Sequence, residues 1–157
     1  MEIEYSVKDK TNLLPHSLWS MGDYSDTLGF TSVAPTNCAS KSSDYSTNGD
    51  YSVKCVFPSG STGLVRYTIN DVENLVGKTV SFSADVKTKE SVKLELFEYY
   101  SGGYHVTATI IAASSTGNFQ VTKEITSETS SILLDIAYAA SETDNTVYTD
   151  NWKFIIQ

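Results

Sequence analysis

The sequence predicts an all-β domain built as a two-sheet antiparallel β-sandwich of the jelly-roll type. Three observations predict it. Period-two alternation of apolar and polar residues dominates from Asn12 onward. Ser and Thr make up about a quarter of the chain, and Tyr (10) far exceeds Trp (2), a bias toward strand rather than helix. Many short runs are separated by turn residues, the pattern of a sandwich, and a jelly roll is the commonest way to arrange eight or more such strands.

Taken in order, the runs 12–20 and 30–39 are short and apolar enough for strands. Asn48-Gly49-Asp50 is a turn signal. It leads into a strand with Tyr51, Val53, Cys55 and Phe57 on one face. After 63–69, the stretch 70–77 is the only helical candidate, a single turn holding Val72 and Leu75 with Asp71 as its cap. In 78–88, Val80, Phe82, Ala84 and Val86 oppose Thr79, Ser81, Ser83, Asp85 and Lys87. In 91–99, Val92, Leu94 and Leu96 oppose Lys93, Glu95, Phe97 and Tyr99. Ser101-Gly102-Gly103 turns the chain into 104–111, where Tyr104, Val106, Ala108 and Ile110 oppose His105, Thr107 and Thr109. Three more strands follow at 118–125, 131–139 and 146–156.

A chain of 157 residues fits one domain and buries a sizeable core without disulfide or metal staples. Residues 1–11 are polar and read as a linker remnant or an edge strand through Ile3, Tyr5 and Val7; residues 12–157 read as the sandwich. The net charge of −8 argues against nucleic acid or anionic membrane as partner, since both need clustered Lys and Arg. No apolar run is long enough for membrane insertion. Met1-Glu2-Ile3-Glu4 lacks the features of a signal peptide, so the expectation is either another route or a domain cut from a longer chain. Two cysteines and two histidines have no zinc-ligand spacing. Cys38 and Cys55 flank a polar loop, and whether they are bonded stays open, because simple hairpin register sets them diagonally.

The candidate site is the non-core side of 78–88, 91–99 and 104–111. Laid side by side, these strands present Asp85, Lys87, Lys93, Glu95, Phe97, Tyr99, His105 and Thr107, with Asp135 nearby. Aromatic rings among short polar and acidic groups suit a sugar, whose C–H face packs on a ring while its hydroxyls need fixed donors and acceptors. The contrary reading is that a loop covers Phe97 and Tyr99, or that the register is shifted by one residue, which exchanges the faces. Loop aromatics form a second candidate: Trp19, Tyr24, Phe30, Tyr45, and the hairpin tip with Tyr99, Tyr100, Tyr104 and His105. A third feature is Asp150, which strict alternation places in one row with Tyr148, Trp152, Phe154 and Ile156. A carboxylate in an apolar row needs a cation, a hydrogen-bond cage or water, and calcium suits it as an oxygen-ligated ion.

The chain resembles the jelly-roll carbohydrate-binding modules of families 4, 9, 16 and 22, within the galactose-binding-domain-like group. Asn12-Leu13-Leu14-Pro15 is similar to their opening, and Gly49-Asp50-Tyr51-Ser52-Val53-Lys54 to an early strand. Gly77-Lys78-Thr79-Val80-Ser81-Phe82-Ser83-Ala84-Asp85-Val86-Lys87 resembles a central strand, and Thr146-Val147-Tyr148-Thr149-Asp150-Asn151-Trp152 the closing one. The resemblance implies a sandwich that binds glycan without cleaving it, with a structural calcium at Asp150. The family's second calcium ligand near the opening has no counterpart in His16-Ser17-Leu18-Trp19-Ser20, leaving carbonyls or Asp23 and Asp26 as substitutes.

The expectation is therefore a non-catalytic carbohydrate-binding module of a secreted, surface or virion protein, tethered to other domains. Its sugar contacts would be Asp85, Lys87, Glu95, Phe97, Tyr99, Tyr100, Tyr104 and His105. The alternatives are a structural or adhesive module of an adhesin or phage tail without a sugar site, and a jelly-roll hydrolase using Glu95 and Asp85 as its carboxylate pair.

Overall fold

A computed structural model describes residues 11–19 and 29–157. The expected linker or edge strand at 1–11 therefore lies outside the described residues except for Thr11, as do Asp23, Tyr24, Asp26 and the side chain of Trp19. Among the described residues, ten strands form two antiparallel five-stranded sheets: β1 Ser32–Ala34, β2 Ala39–Ser42, β3 Ser52–Phe57, β4 Gly63–Ile69, β5 Thr79–Thr88, β6 Val92–Tyr100, β7 Gly103–Ile111, β8 Ser115–Glu124, β9 Ser131–Tyr138 and β10 Asn145–Ile156. One sheet runs β1-β4-β9-β6-β7 and the other β2-β3-β10-β5-β8, so the chain repeatedly crosses between layers, as a sandwich requires.

The alternation places the core. Val80, Phe82, Ala84 and Val86 of β5 are fully buried against Leu94 and Leu96 of β6 and Ile132, Leu134 and Ile136 of β9. Val53, Cys55 and Phe57 of β3 complete the layer as expected, while Tyr51 ends half-buried outside the strand. Cys38 and Cys55 are free, buried thiols, and burial pushes the Cys55 thiol far up. The helical candidate at 70–77 is a 3₁₀ turn at Glu73–Leu75 that buries Val72 and Leu75, without the side-chain cap expected from Asp71.

Two expectations about strands are corrected. Among the described residues of the run 12–20 there is no strand; residues 12–19 hold a single helical turn, α1 His16–Trp19, preceded by an irregular segment. The run 30–39 is broken at the cis Ala34–Pro35 bond, with β1 in one sheet and β2 in the other. Proline ends the β1 ladder because it has no N–H to donate.

The irregular opening still has a defined job. β3 pairs only with residues 145–149 of β10, and Asn12 and Leu13 take over beside the remainder. The Asn12 side chain donates to the Trp152 carbonyl (2.9 Å) and accepts from the Phe154 N–H (3.0 Å), satisfying backbone that would otherwise lack a partner.

The close approach of Gly63 to the core gives a direct test of packing. A Cβ added at this buried glycine would clash with the Phe57 ring, itself fully buried and stacked on Tyr138. Gly63→Ala is expected to destabilise the domain by about 1–3 kcal/mol through overpacking. Denaturant titration monitored by tryptophan fluorescence measures it, and an unchanged midpoint would show that the ring can move aside.

Candidate functional site

The outer face of the β1-β4-β9-β6-β7 sheet carries a continuous strip of chemically distinct groups. Directly paired residues on adjacent strands share a face, so the register defines it row by row. One row runs Ser131, Tyr99, Tyr104; the next Thr68, Leu133, Phe97, Val106. A third runs Ser32, Arg66, Asp135, Glu95, Ala108, and a fourth Ala34, Leu64, Ala137, Lys93, Ile110. Four rows at two residues each extend about 20 Å along the strands.

The aromatic end is a cluster of three rings. Phe97 and Tyr99 lie 6.2 Å apart between centroids, and Tyr104 stands 5.6 Å from each. Tyr104 is 56% exposed, while Phe97 and Tyr99 are half-buried, leaving ring surface open to a ligand. Two residues, Ser101 and Gly102, join Tyr100 to Gly103, and this short turn sets Tyr99 opposite Tyr104.

The centre is charged. Arg66 grips Asp135 with two prongs, Nε to Oδ1 and Nη2 to Oδ2, each 2.7 Å. Asp135 is only 1% exposed, whereas Arg66 is 23% exposed, so the guanidinium presents its remaining donors outward. Its carbon sits 5.7 Å from the Phe97 ring centroid, linking the charged row to the aromatic one. Burial pushes the Asp135 carboxyl up, against the opposing pull of Arg66. Burial, then the neighbouring charge of Asp135, likewise raises Glu95.

Beyond Lys93 and Glu95 the strip opens into a cavity of about 490 Å³, lined by Leu64, Glu90, Lys93, Ala137, Tyr138 and Ser141 among others. The face therefore offers flat rings, fixed hydrogen-bonding groups and a concave end, the combination a polyhydroxylated ligand needs.

Of the expected contacts, Glu95, Phe97, Tyr99 and Tyr104 come together here. The rest do not. Asp85 and Lys87 belong to β5, which pairs with β10 and β8 in the opposite sheet, so 78–88 and 91–99 are not neighbours. The phase of β7 is also reversed: His105, Thr107 and Thr109 oppose Glu98, Leu96 and Leu94 on the inner side, and Tyr104, Val106, Ala108 and Ile110 face outward. That inner side is polar because β7 is an edge strand meeting β8, where Thr109 Oγ1 donates to the Gln120 carbonyl (2.7 Å). Tyr100 and His105 form their own stack at 4.9 Å, with His105 Nε2 3.8 Å from Glu128.

Arg66 was not among the expected contacts. It is the only arginine in the chain, set between Leu64 and Thr68 in an alternating strand, and that isolation was the available signal.

Asp150 also stands elsewhere than expected. Asn151, at φ 53°, forms a β-bulge, and the register with β5 shifts between Asp150 and Lys153. Tyr148 and Asp150 consequently face outward, while Trp152 and Phe154 turn into the core. Asp150 is nonetheless fully buried, because the 43–50 loop covers it. Its Oδ2 accepts the N–H groups of Thr47 (2.8 Å) and Asn48 (2.9 Å), and its Oδ1 that of Asn151 (2.8 Å). Adjacent Asp85 accepts from Thr47 Oγ1 (2.6 Å), Asn118 (2.8 Å) and Asn151 Nδ2 (3.1 Å).

These donors to Asp150 are N–H groups, and Asp23 and Asp26, the substitute calcium ligands, lie outside the described residues. Among the described residues, no group of three or more His, Cys, Asp and Glu side chains could hold a metal ion.

No family model and no curated protein matches the sequence. Solved structures do match the fold. The CBM22-1 xylan-binding domain of Paenibacillus barcinonensis Xyn10C superposes with a TM-score of 0.68 at 14% identity, covering 95% of this chain and 96% of that one. TmCBM61, solved with β-1,4-galactotriose, gives 0.56 at 13% identity over 80% and 86%. The enzymatically active domain of bacteriophage CBA120 tailspike protein 4 gives 0.61 at 10% identity, covering 76% of this chain but only 18% of the tailspike chain. The chain thus has the jelly-roll β-sandwich fold shared by carbohydrate-binding modules.

Proposed function

We propose that this domain binds a glycan chain, without cleaving it, along the outer face of the β1-β4-β9-β6-β7 sheet, as a module of a secreted, surface or virion protein. The observation that carries the reading is the strip itself: the Phe97, Tyr99 and Tyr104 rings adjoin the outward donors of Arg66 and the Glu95 carboxylate, with a concave end beyond. Sugar rings stack on the aromatics, and hydroxyls bond to Arg66 and Glu95. The shared fold of carbohydrate-binding modules supports the reading, although fold alone does not carry function.

A glycan array on the isolated domain identifies the ligand, and variants then locate it. Phe97→Ala and Tyr99→Ala are each expected to weaken binding at least tenfold, about 1.4 kcal/mol. The melting temperature should stay nearly unchanged, because both rings lie outside the core. Calorimetric titration showing unaltered affinity in both variants would sink the site.

A further inference from the structure

The opposite sheet carries a second arrangement that the glycan reading does not use. On the outer face of β10, Tyr148 pairs directly with Lys54 of β3 on one side and Lys87 of β5 on the other. Their ammonium groups lie 5.9 and 5.8 Å from the Tyr148 ring centroid. Tyr45, from the 43–50 loop, adds a tilted ring at 6.1 Å and makes a wall. That loop is anchored by the Thr47 and Asn48 contacts to Asp85 and Asp150, so the wall is held in place before any ligand arrives.

We propose that this row binds a glycan residue bearing one carboxylate or sulfate group, its anion held between Lys54 and Lys87 and its ring against Tyr148. The sugar component rests on the glycan reading above; the anion component does not. Two lysines flank one ring in a chain with 19 acidic and only 11 basic side chains. Yet among the described residues neither ammonium has a carboxylate within 4.0 Å. The acid bonded to the ring is Asp44, which accepts a 3.5 Å bond from the Tyr148 hydroxyl, while Asp85 and Asp150 pair in the next row of the same face, their oxygens engaged by donors of the 43–50 loop, Asn118 and Asn151. With strands about 4.8 Å apart, the two lysine backbones stand about 10 Å from one another, room for a single anion to approach both. The net charge of −8 decides between kinds of anion, because it repels a densely charged polymer while tolerating an isolated acidic group.

Side-chain and amide NMR of the labelled full chain tests this, using methyl glucuronide, glucose 6-sulfate and neutral methyl glucoside as separate probes. Titration to about 50 mM is enough to detect millimolar affinity. Shifts are expected at Lys54, Tyr148 and Lys87 with an anionic probe and not with the neutral one, weakening as salt is raised. The two anionic arms tell carboxylate from sulfate. The double variant Lys54→Gln/Lys87→Gln should lower affinity at least tenfold, whereas Phe97→Ala should leave it unchanged and so separates this surface from the other. No shift with any probe, an equal response to the neutral sugar, or a response that survives the double substitution would overturn the proposal.

Discussion

Replacing Arg66 by methionine is expected to destabilise the domain by about 3–5 kcal/mol, because it strands a buried carboxylate. Asp135 is 1% exposed, and both its oxygens are held by the guanidinium. The loss should depend on pH in a defined direction. Asp135 already sits above its ordinary value of 3.8, raised by burial and held back by Arg66. Removing Arg66 releases that restraint and moves the carboxyl further up. A carboxyl raised on folding contributes stability that is full below its unfolded pKa and lost as pH rises through the folded one. The R66M deficit is therefore smallest in acid and grows from about pH 4 toward neutrality. Chemical denaturation of wild type and variant at a series of pH values measures it, and a deficit constant with pH would refute the mechanism. The double variant R66M/D135L should recover most of the stability, since an apolar pair can replace a buried ion pair at little net cost. It should not recover glycan binding if Arg66 donates to the ligand.

The same pair shows where sequence reading ends. Alternation alone identified the inner faces of β5 and β6, because buried strands tolerate little besides apolar residues at every second position. It also placed Glu95, Phe97 and Tyr99 together, since these share one strand. What it missed depends on pairing between distant segments. Nothing local states that β5 lies beside β10 and β8 rather than β6, so Asp85 and Lys87 were placed on the wrong sheet. Arg66 and Asp135 are 69 residues apart, and only the β4–β9 register joins them. On β7 the local pattern misled, because the more apolar side, Tyr104, Val106 and Ile110, faces solvent at an edge strand.

Deleting Asn151 is expected to abolish folding. Up to Asp150 the outward residues of β10 are Tyr148 and Asp150, and after it the inward ones are Trp152 and Phe154, a change of phase that one extra residue makes possible. Strict alternation across this point produced the expectation of a carboxylate sharing a row with Trp152, and the bulge resolves that conflict. Without Asn151 the strand has two registers available, both costly. One buries Tyr148 and Asp150 among core side chains and strips Asp150 of the N–H groups of the 43–50 loop. The other turns Trp152 and Phe154 out to water, emptying the space packed against Phe30 and Phe82, whose rings lie 5.1 and 5.0 Å from the indole. Losing one such aromatic costs about 3–5 kcal/mol, and losing two, about 6–10 kcal/mol, rivals the whole stability of an ordinary domain. Substitution separates the bulge's geometry from the side chain it carries. Asn151→Gly should keep the fold, since φ 53° suits glycine, with a modest drop in melting temperature from the lost 3.1 Å bond to Asp85. Asn151→Val should fall further, because a β-branched residue is strained at positive φ. Circular dichroism melts of the three variants check the order, and a cooperative native-like transition in the deletion would show that β10 can be rephased by a route the register does not reveal.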